Sequence, residues 1–99
     1  MWLMIDDVRN LGCELEARTA IAGMQLLQTY AGQLECLCID HDLGPDQLNG
    51  YQIIMWALEH DFAPPHVQIV SSNPVGRKNI SAALEAAGYA TKDGINFYK

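Results

Sequence analysis

Short apolar runs that end in acidic or small polar residues alternate along this chain with stretches of helical period. Trp2 to Ile5 is apolar and stops at Asp6-Asp7, which reads as a strand buried on both faces and running out into a loop. After Val8-Arg9-Asn10-Leu11-Gly12, the stretch Cys13 to Arg18 alternates with period two, placing Cys13, Leu15 and Ala17 opposite Glu14, Glu16 and Arg18. That pattern predicts an edge strand with one wetter face. Thr19 reads as an N-cap. Ala20, Met24, Leu27 and Ala31 then recur at helical spacing, with Ile21 beside them, until Gly32 stops the helix. The run from Leu34 or Cys36 to Asp40 predicts a central strand, and Gly44 to Gly50 is rich in turn formers. A second helix runs from about Gly50 to His60, with Ile53, Ile54, Ala57 and Leu58 inward and Pro64-Pro65 beyond it.

Val67 to Val70 predicts another strand, leading into Ser71-Ser72 and a helix with Asn73 as N-cap and Pro74 at its first position. Ile80, Ala83, Leu84 and Ala87 form that helix's apolar stripe, and Gly88 closes it. Tyr89 to Thr91 and Ile95 to Tyr98 flank Lys92-Asp93-Gly94, a signature of a hairpin or of a tight approach to a last edge strand. The mostly βα alternation predicts an α/β fold with a parallel sheet and helices on both faces. Only the first connection is too short for a crossover helix. The predicted architecture is therefore a small flavodoxin-like sheet of order 2-1-3-4-5 with a truncated first connection, formed as one domain over residues 1–99.

Composition narrows the function. The chain has 99 residues, of which 49% are apolar, ordinary for one globular core. A net charge of -6 argues against bulk nucleic-acid binding, while leaving room for a local basic spot. No apolar run approaches the ~20 residues of a membrane span, and the N-terminus reaches acid too early for a signal peptide. Of the three cysteines, Cys36 and Cys38 sit inside an apolar run, which fits reduced core thiols in a cytoplasmic protein. Cys36-x-Cys38-x-x-His41 resembles a zinc spacing only superficially, because period two buries both thiols on one strand face.

Sites in such sheets collect beyond the carboxyl ends of the strands. The predicted order brings together Asp6-Asp7, Asp40-His41-Asp42 and Ser71-Ser72-Asn73. Clustered carboxylates repel and must bind a cation, hold a proton or splay into water. An all-oxygen set suits Mg²⁺ or Mn²⁺, so Asp6, Asp7 and Asp40 are candidate metal ligands. The bland alternative is a set of solvated loop acids. His41, between two acids, is a candidate general acid or base with Asp42, or else a histidine that orients Asp40 or bonds a backbone carbonyl. Asn73-Pro74-Val75-Gly76-Arg77 opens a helix. Its Val75 and Gly76 amides read as free donors, Gly76 as a place of close approach and Arg77 as a phosphate fork. Against that stands a plain capped helix with an exposed basic turn. Arg9 is a further candidate phosphate contact or a salt-bridge partner of Asp7 or a loop acid, and Ser71 or Ser72 a hydroxyl facing the site.

Ile5-Asp6-Asp7-Val8-Arg9-Asn10, Ile39-Asp40-His41-Asp42-Leu43-Gly44 with Asn49-Gly50-Tyr51, and Ser71-Ser72-Asn73-Pro74-Val75-Gly76-Arg77-Lys78-Asn79, in that order, resemble the cyclic-phosphate-processing receiver-like domain. This divergent relative of response-regulator receivers occurs in bacteria and phages, and the resemblance runs from Leu3 to about Gly88. It implies action on cyclic phosphates of nucleotides or RNA ends. It places Asp6 and Asp7 where a receiver's Mg²⁺-binding acids stand, Asp40 at the phosphoacceptor position, and Ser71 or Ser72 near the hydroxyl position. The chain departs from true receivers in its short first connection, in His41-Asp42 and in the Asn73–Arg77 turn. Lys92 is a poor match to their late lysine.

Residues and resemblance together lead to a metal-dependent enzyme that processes cyclic phosphates on a nucleotide, ADP-ribose or an RNA end. Asp40, His41 and Asp42 would act in catalysis, Arg9, Ser72, Asn73, Gly76 and Arg77 in substrate binding, and Asp6, Asp7 and Asp40 in holding Mg²⁺ or Mn²⁺. The alternatives are a non-catalytic phosphate- or nucleotide-binding module, a receiver phosphorylated on Asp40, and a phage-type interaction protein. The expected partner is a small phosphorylated ligand or RNA end, with no membrane.

Overall fold

A computed structural model describes all of residues 1–99. The elements are β1 (Trp2–Ile5), β2 (Leu15–Ala17), α1 (Ala20–Thr29), β3 (Cys36–Ile39), α2 (Gly50–Glu59), β4 (His66–Ile69), α3 (Pro74–Ala86), β5 (Ala90–Thr91) and β6 (Asn96–Tyr98). Local chemistry sets the helix starts. The Thr19 hydroxyl accepts from the Ala22 N–H, Asn49 and Gln52 form a reciprocal capping box, and Asn73 precedes Pro74. Ile21, read as lying beside the α1 stripe, points outward and is 67% exposed.

β2, β1, β3 and β4 lie side by side and parallel, in the predicted order. Beyond β4 the predicted 2-1-3-4-5 order is corrected: the sheet runs β2-β1-β3-β4-β6-β5, with β6 antiparallel to both neighbours. The last two strands form the hairpin that Asp93-Gly94 signals. Its second limb carries Phe97, a large and fully buried side chain, and takes the slot against β4. The first limb, Ala90–Thr91, has no comparable anchor and is left at the edge.

The expectation of helices on both faces is also corrected. Odd-numbered strand residues (Leu3, Ile5, Leu37, Ile39, Val67, Ile69) and Phe97 form one core with Leu27 of α1, Ile53 and Ile54 of α2, and Ile80 and Leu84 of α3. The opposite, even-numbered face holds a small cluster of Met4, Cys36 and Cys38, covered by Trp2, Cys13 and Val70 and by no helix. Handedness explains this. The crossovers β2–α1–β3, β3–α2–β4 and β4–α3–β5 all step the same way along the sheet, so right-handed connections put every helix on one side. Only β1 to β2 steps the other way, and residues 6–14 contain no helix. Cys13, read as part of a strand, lies in that loop and packs on the helix-free face. The cysteines are free thiols, and Cys36 and Cys38 are buried as expected.

Candidate functional site

The ladder carries one residue past β1 and β3: the Asp6 N–H donates to the Ala17 carbonyl and the Asp40 N–H to the Ile5 carbonyl. Alternation therefore sets both aspartates on the even-numbered face, side by side at the strand ends. They are 0% and 6% exposed. Asp7 is exposed, yet one oxygen from each of Asp6, Asp7 and Asp40 falls within a 4.8 Å group.

Buried carboxylates need partners, and the loop after β1 supplies them. Asp6 Oδ1 accepts from the Val8 and Arg9 N–H groups, both at 2.9 Å. Arg9 Nη1 donates to Asp6 Oδ2 at 2.9 Å and lies 3.3 Å from Asp40 Oδ2. The loop is held in turn by Arg18, whose Nη1 donates to the Asp6 and Arg9 carbonyls. No buried side-chain polar atom lacks a partner.

The two aspartates titrate in opposite directions. Burial pushes Asp6 up, but the Arg9 and Val8 amides and the Arg9 guanidinium outweigh it, so its carboxyl sits below the usual range. Burial and then the neighbouring Asp6 charge push Asp40 above that range, against the smaller pull of Ser71, Arg9 and the His41 amide. Of the two serines left open by the sequence, Ser71 is the buried one against Asp40, and its Oγ accepts from the Asn73 N–H at 3.1 Å. Ser72 is exposed.

His41 and Asp42 form a second group, turned toward the helix layer. His41 Nδ1 and Asp42 Oδ1 are 2.9 Å apart, and Asn73 Nδ2 donates to Asp42 Oδ2 at 3.1 Å. The bond to His41 and then that to Asn73 hold the Asp42 carboxyl below its usual range. The His41 ring lies on Gly76 of α3, where any Cβ would come 2.7 Å from His41 Cβ and overlap the ring. Gly76 thus admits a side chain of this protein, a use that its reading as a ligand approach did not foresee.

At the α3 start the reading of free amides is corrected, and Arg77 already has backbone partners. The Val75 and Gly76 amides are not free: both donate to Asn73 Oδ1, at 3.1 and 3.0 Å. Arg77 is tied to backbone, with Nη1 on the Ser71 carbonyl at 3.0 Å and Nη2 on the Gly94 carbonyl at 3.3 Å. It braces the end of β4 against the β5–β6 turn.

Two supporting residues escaped the sequence reading. Arg18 looked like the wet side of an edge strand, and nothing local reveals that it reaches back to the Asp6 carbonyl. Gly50 looked like a turn former. Its N–H donates to the His41 carbonyl at 2.8 Å, and a Cβ there would overlap the Asp40 carbonyl oxygen. A glycine at the first helical position, where a side chain is ordinarily welcome, was the available signal.

A mostly parallel sheet, helices between its strands and acids grouped at the strand ends define a receiver-like α/β domain. The chain belongs to the family described as the cyclic-phosphate processing receiver domain, whose model matches residues 1–86. No curated protein and no solved structure matches it. No helix is long and apolar enough to cross a membrane.

Proposed function

We propose that this domain is a divalent-metal-dependent enzyme acting on cyclic phosphates of nucleotides, ADP-ribose or RNA ends. The observation that carries the reading is the convergence of Asp6, Asp7 and Asp40 oxygens within 4.8 Å at the strand ends, in a chain whose family is linked to cyclic-phosphate processing. The donor set fits the metal. It is all carboxylate oxygen, it includes an exposed member that can adjust, and it already accommodates positive charge in the form of Arg9. A bound Mg²⁺ or Mn²⁺ would polarise the phosphate and lower the pKa of attached water.

The chain's own residues supply the rest. Arg9, one-third exposed beside the acids, offers a guanidinium to phosphate oxygens. Asp42 and Asn73 fix the His41 ring, leaving its Nε2 as the nitrogen for moving a proton. Ser72, exposed and next in sequence to the buried Ser71, offers a second hydroxyl. Because Asn73 occupies the first amides of α3, Asn73 and Gly76 act by seating His41. Arg77 acts by holding the Ser71 backbone.

A second reading is phosphate binding without turnover, for which the partly exposed Arg9 guanidinium beside the acids suffices. Incubating the protein with Mg²⁺ or Mn²⁺ and a panel of 2′,3′-cyclic phosphates separates the two. Turnover that Asp40→Asn abolishes is the expected result. Calorimetric binding with the ligand recovered unchanged would favour the second reading, and an inert wild type across the panel would end the enzyme reading.

A further inference from the structure

The acid cluster already holds a cation, and that cation belongs to the chain. We propose that Arg9 is a displaceable internal counter-ion: its guanidinium stands in for the divalent metal on Asp6 and Asp40, and metal binding releases it toward the incoming phosphate. The proposal rests on the cation site of the preceding reading and adds a competitor within it.

Geometry sets the two occupants in competition for the same carboxylates. Arg9 Nη1 is within 2.9 Å of Asp6 Oδ2 and 3.3 Å of Asp40 Oδ2. A divalent ion held by Asp6, Asp7 and Asp40 would draw on the same carboxylates that Arg9 occupies, and like charge would oppose its staying beside them. The backbone shows which of the two can leave cheaply. Asp6 Oδ1 is fixed by the Val8 and Arg9 amides, so the carboxylate stays aimed after the guanidinium departs. The Arg9 carbonyl is held by Arg18, so only the side chain need move. That side chain is 33% exposed and has a path to solvent. Asp7 accepts no bond from Arg9 and is free to complete the metal's shell.

The arrangement has a purpose. Without metal, Asp6 and Asp40 would be buried like charges with no counter-ion, and Arg9 keeps them compatible with the fold. With metal bound, the freed guanidinium would stay tethered beside the acids by the Arg9 backbone, where a phosphate would offer it a replacement partner. Metal and phosphate should therefore bind cooperatively, each strengthening the other by the same factor.

The test is Mn²⁺ binding to the whole chain, followed by calorimetry and by loss of the free-ion electron paramagnetic resonance signal, for wild type, Arg9→Gln and Arg9→Lys. Arg9→Gln is expected to bind Mn²⁺ about tenfold more tightly, within the usual range of such couplings, and to melt at a lower temperature without metal. Adding inorganic phosphate should tighten Mn²⁺ binding in the wild type and much less in Arg9→Gln. Arg9→Lys keeps the charge without the fork and should fall between. If wild type binds Mn²⁺ and Arg9→Gln binds it equally or more weakly, the counter-ion proposal fails while the cation site stands. If neither binds, both fail. Should Arg9→Gln not fold, the Arg9 side-chain N–H resonance of the wild type provides the measurement: it must shift during a Mg²⁺ titration with the midpoint of binding, and a stationary resonance overturns the proposal.

Discussion

Adding one methyl group at Gly50 tests how the Asp40–His41 strand end is held. Gly50 begins α2, its N–H donates to the His41 carbonyl at 2.8 Å, and a Cβ would overlap the Asp40 carbonyl oxygen and approach His41 Cα to 2.9 Å. These neighbours are backbone, so no side-chain rotation relieves the clash. Overpacking of this kind costs about 1–3 kcal/mol, and losing the Gly50 bond adds about 1 kcal/mol. The helix propensity gained from alanine, at most ~1 kcal/mol, offsets part of that. Gly50→Ala should therefore lose about 1–4 kcal/mol of stability. For a domain of this length that lowers Tm by roughly 5–30 °C. Urea and thermal melts followed by circular dichroism read the loss. Because the displaced backbone carries Asp40, Mn²⁺ affinity should fall in the same variant. A Gly50→Ala protein within about 0.5 kcal/mol of wild type, the range of an ordinary surface change, would refute the close-approach argument.

Asn73→Ala removes the acceptor of two α3 amides and the donor to Asp42. It should cost about 1–2 kcal/mol in a urea melt and broaden the His41 ring resonances by NMR; unchanged stability would argue against the cap. Acid should weaken the fold through Asp6 and Asp93. The Asn96 and Ile95 amides and the Asn96 side chain hold Asp93 below its usual range, as the amide and Arg9 contacts hold Asp6. A depressed folded pKa contributes stability above the unfolded value, near 3.9, and loses it as pH falls through the folded value. Asp40, shifted upward, acts in the opposite sense at higher pH. Urea midpoints should thus drop between about pH 4 and pH 2, less steeply in Asp93→Asn, and a midpoint that rises over that interval would contradict the assignment.

The sequence alone determined most of the local features that depend on neighbours within about four residues. Helical period, the Thr19 and Asn73 caps, Asp93-Gly94 as a reversal, and apolar runs breaking into acid at Ile5 and Ile39 all lie at that range, and the elements form where those signals place them. The order of the first four parallel strands followed from alternation and connection length. Tertiary structure decided what lay beyond. It put every helix on one face, because that follows from the direction of each crossover, which no local pattern encodes. It gave β6 the slot beside β4, because Phe97 had a core to enter. It also assigned the long-range partners of the cations, Asp40 to Arg9 and the Ser71 and Gly94 carbonyls to Arg77. In sequence the two arginines look equally ready for phosphate. A charge's partner is set by which groups folding buries beside it, and that is known only once distant strand ends have met.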